Sequence, residues 1–321
     1  MIIIKSKNIL MEMINKKINK VAVLGSGIMG SRIACHFANI GVEVLLLDIV
    51  PKEGPRNGIV DTALQTAVKT NPSPVYSKKV LNKITTGNFD DDMSKIAGCD
   101  WIIEVVVENL DIKKKVFEQV EQHRKPGTLV TSNTSGIPIH MMAEGRSDDF
   151  KANFCGTHFF NPPRYLRLLE IIPTPHTKPE LVDFLMHYGD KFLGKTTVLC
   201  KDTPAFIANR VGVNSIMALL HLVEKMELTV EEVDKYTGPA LGRPKSATFR
   251  TTDVVGLDTM IKVAKGLYDN CPDDKAHDLF KLPAYVEKME ANKWLGGKTN
   301  QGFYKKTKTA EGKTEILALD L

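Results

Sequence analysis

The stretch Gly25–Gly30, GSGIMG, is the tightest constraint on how this chain can fold. Its glycines at GxGxxG spacing follow the apolar run KVAVL at Lys20–Leu24. They precede SRIACHFANI, whose Ile33, Phe37 and Ile40 fall at helical spacing before Gly41 ends the helix. VEVLLLD is then a second apolar run, closing on Asp48. Strand, glycine turn, helix and strand make a βαβ unit, and apolar strands of this kind belong to a parallel sheet covered on both faces.

Each glycine has a physical task. The first permits the tight turn, the second lets backbone approach a pyrophosphate, and the third lets helix and strand pack closely. The free N–H groups and positive end of the helix then face the phosphates. Gly25, Gly27, Ile28, Met29 and Gly30 are therefore the candidate loop for a dinucleotide cofactor. Asp48 is placed to accept hydrogen bonds from a ribose 2′-OH. A carboxylate there repels a 2′-phosphate, and no arginine follows it closely, which favours NAD over NADP. The plain alternative is that Asp48 only ends a strand.

Strands and helices keep alternating beyond Asp48. Residues 52–83 read as helical and lysine-rich, broken by NPSP at Asn71–Pro74. ITTGNF reads as a short strand and CDWIIEVVVEN as a strand ending at Glu108. LDIKKKVFEQVEQH reads as an amphipathic helix with Ile112, Val116 and Val120 on one face. GTLVTSNTS reads as another strand. The pattern changes near Cys200: Thr203 before Pro204 marks a helix start, and the text is helical from there to about Asn292. The expected fold class is α/β, a Rossmann-like doubly wound sheet followed by an all-helical C-terminal domain. The expected organisation is a loose lead-in over 1–18, a NAD-binding domain over 19–201, a helical domain over 202–308 and a tail or truncated linker over 309–321.

Composition narrows the function classes. The 321 residues carry 43 basic and 38 acidic side chains, and this net charge of +5 is spread along the chain, too mild to argue for nucleic acid. Cys35, Cys99, Cys155, Cys200 and Cys271 lie far apart without a CxxC pair and read as reduced thiols of a cytoplasmic protein. Cys155, close before His158, reads as a packing residue. The 8 histidines form no HxxxH or HxH set, so no metal is expected. The opening MIIIKSKNIL is too short for a signal h-region, and Met11 or Met13 could serve as the start. No apolar run approaches the ~20 residues that cross a bilayer.

A second feature is the stretch GTHFFNPPRYLRLLE at 156–170. NFCGTHFF and LRLLEII read as two strands joined by NPPRY. If they pair about Arg164, His158 and Glu170 stand opposite one another, with Cβ atoms about 5 Å apart. The carboxylate would accept the N–H of one ring nitrogen and leave the other to take a proton from a substrate hydroxyl. The alternative, an ion pair that only supports the hairpin, stays open on spacing alone.

That stretch, with SNTS at Ser132–Ser135, CKDTPAFIANR at Cys200–Arg210, VVGLDT at Val254–Thr259 and KTNQGFYKK at Lys298–Lys306, resembles the L-3-hydroxyacyl-CoA dehydrogenase family. The likeness runs from about Asn19 to Lys306. It implies NAD-dependent, reversible oxidation of (S)-3-hydroxyacyl-CoA to the ketone, a step of β-oxidation. It implies that His158 is the general base and Glu170 its partner, with Ser135, Asn161 and Asn209 facing the reacting centre. It implies NAD contacts from Glu108, Lys113 and Lys298, and a homodimer through the helical domain that also meets the substrate. Hydroxyl and amide donors near the substrate oxygen suit the alkoxide-like charge that develops there.

Some stretches depart from the short family form. Gly136 stands where many relatives have a second serine, and the stretches NPPRYLRLLE, GRPKSATFRTTDVVGLDT and TNPSPVYSKKVL differ. These traits resemble long bacterial fusion proteins in which an enoyl-CoA hydratase-like domain follows the dehydrogenase. The ending KTEILALDL would then be the start of a linker, and the chain a fragment of a bifunctional enzyme. Lys69, Lys78, Lys79 and Lys83 are candidates for the CoA phosphates, and Arg164 either reads an acyl-CoA or caps its turn. Competing readings are a sugar-acid dehydrogenase resembling lambda-crystallin, a NAD-binding protein without turnover, and a 6-phosphogluconate-type enzyme, whose catalytic lysine motif is not found here.

Overall fold

The computed structural model of the protein describes residues 17–321. It divides into two units, the first ending at Phe206 and the second running from Ile207 to Leu321. The expected boundary was Lys201–Asp202. The lead-in expected over 1–18 lies outside the described residues as far as residue 16.

The first unit is built on an eight-stranded sheet of order β3-β2-β1-β4-β5-β6-β7-β8. Its strands are β1 (Lys20–Leu24), β2 (Glu43–Asp48), β3 (Ile84–Asn88), β4 (Trp101–Glu104), β5 (Leu129–Ser132), β6 (Phe154–Phe159), β7 (Leu168–Pro173) and β8 (Thr196–Leu199). Neighbours run parallel except at β6 and β7. β1 lies between β2 and β4, so the strand order reverses there. This is the switch point at whose carboxyl edge doubly wound sheets bind ligands.

Burial on both faces explains the continuous apolar runs. Val21 and Val23 pack with Phe37, Trp101 and Tyr188, whereas Ala22 and Leu24 pack with Phe117, Val130 and Phe154. Helix α1 (Ile28–Asn39) covers the first face, and α3 (Leu110–His123) covers the second with Val116, Phe117 and Val120. Between them, the expected lysine-rich helix is shorter than the sequence suggests. Only α2 (Gly58–Val68) and a 3-10 turn over Lys78–Lys83 form, on either side of the NPSP break. Helix α4 (Pro179–Lys191) returns to the first face with Phe184, Leu185 and Tyr188.

Other expectations are corrected. The strand expected to reach Glu108 stops at Glu104, because its neighbours end there: Glu104 registers with Leu24 on one side and Ser132 on the other. The valines that follow have β-propensity but no partner strand. In α3, Val116 and Val120 are buried as expected, but Ile112 is 42% exposed and Lys113, only 1% exposed, turns inward instead. The helix expected at Thr203–Pro204 starts only at Ala208, because Ala205 and Phe206 adopt positive φ and cannot extend it.

His36 in α1 gives the first unit a measurable acid response. Its Nε2 lies 3.1 Å from the Leu193 carbonyl and its Nδ1 has no hydrogen-bond partner. Burial first, then the nearby Lys195 and Arg164 charges, lower its pKa to about 4. The unfolded chain therefore binds this proton first, so stability falls as pH drops from the ordinary histidine value toward 4. Between pH 7.5 and 4.5 the protein is expected to lose roughly 2.5 kcal/mol more than a His36→Gln variant. Urea unfolding at both pH values measures the difference, and equal losses would exclude His36 as the source.

The second unit holds helices α5 (Ala208–Met226), α6 (Val230–Thr237), α7 (Phe249–Val255), α8 (Leu257–Asn270) and α9 (Ala284–Ala291). Val213, Met217, Leu220 and Val223 form the buried face of α5, while Val211 is 61% exposed. α6 starts with a capping box between Thr229 and Glu232. The segment expected as a tail pairs instead: β10 (Thr314–Ala318) runs antiparallel to β9 (Tyr304–Lys308). Gly312, at positive φ, turns the chain between them. Buried Asp253 anchors the approach to β9 by accepting the Phe303 and Tyr304 N–H groups at 2.9 and 2.8 Å. Burial holds that carboxyl above its usual range against those bonds.

Candidate functional site

The glycine loop follows β1 at the switch point. Gly25 has φ +104, and a side chain there would meet the Val105 carbonyl at 2.7 Å. A Cβ on Gly30 would overlap the Gly25 carbonyl oxygen, so only glycine lets α1 start so close to β1. Gly27 has open space where its side chain would stand, and no acidic residue lies in the first turn of α1. A pyrophosphate fits this cradle of bare backbone at a helix N-terminus. Ile28 is 68% exposed beside it, and Met29 packs toward the core. Asp48 accepts from the Ser26 N–H at 2.6 Å, the Ser26 hydroxyl at 2.5 Å and the Ile49 N–H at 2.7 Å. It thereby ties the loop to the end of β2. A carboxylate has about four acceptor positions, so capacity for a ribose hydroxyl remains.

β6 and β7 pair in the register that twelve-residue spacing predicts, with His158 opposite Glu170. His158 is 4% exposed and Glu170 is fully buried. The ring Nδ1 lies 2.7 Å from Glu170 Oε2, and Nε2 lies 3.1 Å from Ser135 Oγ. A carboxylate only accepts, so Nδ1 carries the proton and the Nε2 lone pair faces the serine. Phe160 and Phe206 flank the imidazole, with ring centroids 4.4 and 5.7 Å away.

Between the strands, the NPPRYL turn is braced from two sides. Lys195 is buried, and its ammonium donates to the Pro163 and Leu166 carbonyls. Burial lowers its pKa to about 8. Asn161 in that turn accepts a hydrogen bond from Arg32 of α1 through its side-chain carbonyl. Arg164 reaches back to residues 73–76: it donates to the Ser73 and Val75 carbonyls at 2.7 and 3.1 Å and stacks on Tyr76 at 3.9 Å. This bracing is longer in range than the local cap considered from the sequence. Lys69, Lys78, Lys79 and Lys83 are exposed.

Glu108 organises the loop that carries Ser135. Its Oε1 accepts from the Thr134 hydroxyl at 2.6 Å and from the Ser135 and Gly136 N–H groups, each at 3.1 Å. Burial raises its pKa, but Lys113, Thr134 and the loop amide outweigh it and hold the carboxyl below the usual range. The glycine at 136 contributes backbone only, so the serine common in relatives is dispensable for this contact. Lys113, expected at the cofactor, is buried, and its ammonium donates to Glu104 at 2.7 Å.

Sequence reasoning missed Glu104 and Asn133. Glu104 is fully buried, and burial pushes its carboxyl above the usual range despite Lys113 beside it. Asn133 accepts the Phe159 N–H at 2.8 Å, next to His158. The signal for Glu104 was a lone acid ending an apolar strand, the same signal that singled out Asp48. Asn209 stands in the first turn of α5 and Lys298 forms an ion pair with Asp258, both in the second unit. Cys155 lies in the core, where burial raises its thiol pKa and suppresses the thiolate a metal would need. Among the described residues, no cluster of His, Cys, Asp and Glu could hold a metal, and no helix is long and apolar enough to cross a membrane.

Residues 20–203 match the family described as "3-hydroxyacyl-CoA dehydrogenase, NAD binding domain". Residues 206–306 match "3-hydroxyacyl-CoA dehydrogenase, C-terminal domain". A Bacillus subtilis protein named "Probable 3-hydroxyacyl-CoA dehydrogenase" is 51% identical over 95% of this chain, which spans 40% of that protein's length. A Deinococcus radiodurans protein of the same name is 45% identical over 91% of this chain and 84% of its own length. The crystal structure of (S)-3-hydroxybutyryl-CoA dehydrogenase from Ralstonia eutropha has a TM-score of 0.73 at 26% identity, covering 89% of this chain and 98% of that one.

Proposed function

The chain belongs to the 3-hydroxyacyl-CoA dehydrogenase family, and from that premise we propose that it interconverts (S)-3-hydroxyacyl-CoA and 3-ketoacyl-CoA with His158 as general base. The observation that carries this reading is the chain of contacts Glu170–His158–Ser135 at 2.7 and 3.1 Å. NAD supplies the hydride acceptor. On the protein side, Nε2 of His158 takes the hydroxyl proton as the C–H bond is broken. Glu170 keeps the proton on Nδ1 and stabilises the imidazolium that forms. The Ser135 hydroxyl, 3.1 Å from Nε2, donates in this reading to the substrate oxygen as negative charge develops there. Arg32 occupies the carbonyl of Asn161, which leaves the amide N–H groups of that side chain to face a substrate oxygen. Asn209, Glu108 and Lys298 complete the proposed contacts, and β-oxidation in a cytoplasmic homodimer is the proposed setting.

Steady-state NADH formation tests the reading. We expect turnover with (S)-3-hydroxybutyryl-CoA and longer thioesters, and little with gulonate. Faster turnover of gulonate would favour the sugar-acid alternative and overturn the thioester assignment.

A further inference from the structure

We propose that Glu104 and Lys113 are a buried positioning pair that fixes Ser135 against His158 by acting through Glu108. The inference rests on the reading of Ser135 and His158 given above.

Glu104 ends β4 beside the switch point, and both of its oxygens are engaged. Oε1 receives the Lys113 ammonium at 2.7 Å and the Val106 N–H at 2.7 Å, and Oε2 receives the Ser132 hydroxyl at 2.5 Å. One side chain thus joins the loop after β4, helix α3 and the end of β5. Lys113 lies one turn into α3 and is 1% exposed. Its ammonium also lies 3.4 Å from Glu108 Oε2 and 3.4 Å from the Val106 carbonyl. The other oxygen of Glu108 gathers the Thr134 hydroxyl and the Ser135 and Gly136 amides. The contacts therefore run without a break from Glu104 through Lys113, Glu108 and the Ser135 backbone to the 3.1 Å contact at His158.

Stability alone does not account for such a pair. Replacing a buried ion pair by apolar residues of similar volume is often neutral or stabilising, whereas removing one partner is strongly destabilising. Here the lysine side chain turns inward from a helix whose flanking Lys114 and Ile112 face outward. Two carboxylates share this one ammonium, and the second of them holds the serine loop. Lys113 sets where Glu108 can stand, and Glu104 sets where Lys113 can stand. A shift of about 1 Å in a positioning group can lower a rate about a hundredfold.

The test reduces acetoacetyl-CoA with NADH, using the full chain. Glu104→Gln keeps the shape and removes the charge. The double variant Glu104→Gln with Lys113→Met removes both charges of the buried pair and leaves Glu108 without its ammonium. In both, kcat is expected to fall about tenfold to a hundredfold, a larger change than that in KM for acetoacetyl-CoA. The double variant should recover thermal stability relative to Lys113→Met alone without recovering kcat. In a Ser135→Ala background, Glu104→Gln should have little further effect on kcat, because both act on the same contact. A wild-type kcat in the double variant overturns the proposal, as does full additivity with Ser135→Ala. If Glu104→Gln folds poorly, the double variant decides. The outcomes separate from failure of the underlying reading, because His158→Ala lowers kcat about a thousandfold under that reading whether or not the buried pair matters.

Discussion

His158→Ala is expected to lower kcat for acetoacetyl-CoA reduction by about a thousandfold, the middle of the range for losing a general acid–base. NADH affinity should change little, because the ring contacts Glu170, Ser135, Phe160 and Phe206 and not the glycine loop. Glu170→Gln should lower kcat by about a hundredfold or more. The amide is isosteric but neutral, so an imidazolium forming on His158 loses its counter-charge in a fully buried position. An amide N–H turned toward Nδ1 would also reverse the tautomer and leave Nε2 protonated, unable to accept the hydroxyl proton in the oxidation direction. The losses in the double variant should not multiply, since the two groups act as one unit. Steady-state kinetics with NADH titration checks both. Wild-type kcat in Glu170→Gln would make that carboxylate purely structural, and turnover surviving His158→Ala would remove the imidazole from the chemistry.

Cofactor choice carries the second large effect. We expect kcat/KM with NADH to exceed that with NADPH by about a thousandfold. Like charges about 4 Å apart near a protein surface repel by about 4 kcal/mol, and each 1.4 kcal/mol is tenfold. Asp48 is the source of that charge, but it also holds the glycine loop through the Ser26 amide and hydroxyl. Asp48→Asn separates the roles, because its amide carbonyl can still accept both bonds. The variant should lose about tenfold or more of the discrimination while keeping most of its NADH activity. Asp48→Ala should lose activity with both cofactors, since the loop anchor goes too. Unchanged discrimination in Asp48→Asn would relocate specificity away from this residue.

The parts of the site legible in sequence are those set by short-range rules. GxGxxG between a strand and a helix, an acid at the end of the next strand, and twelve residues between His158 and Glu170 are statements about spacing. Strand period and turn geometry convert spacing directly into contact. What stayed hidden depends on where separate elements meet. Lys113 reads as a surface residue in any amphipathic projection, and only the carboxylate of Glu104 on a neighbouring strand draws it inward. Arg164 reads as a turn residue until the 73–76 segment folds beneath it. Asn133 is one polar residue among several just after β5 until the edge of β6 arrives beside it. The end of β4 could not be read from its valines, because strand length is set by neighbours that stop at Leu24 and Ser132.

The sequence by itself determined a doubly wound NAD-binding sheet, a histidine facing a glutamate across a hairpin, and a helical stretch after it. Each follows from local backbone periodicity and from glycine's freedom at Gly25 and Gly30. Only the tertiary structure decided which charges go inside and what holds the serine loop. A buried ion pair forms when two distant segments place opposite charges together away from water, and no single segment encodes that meeting.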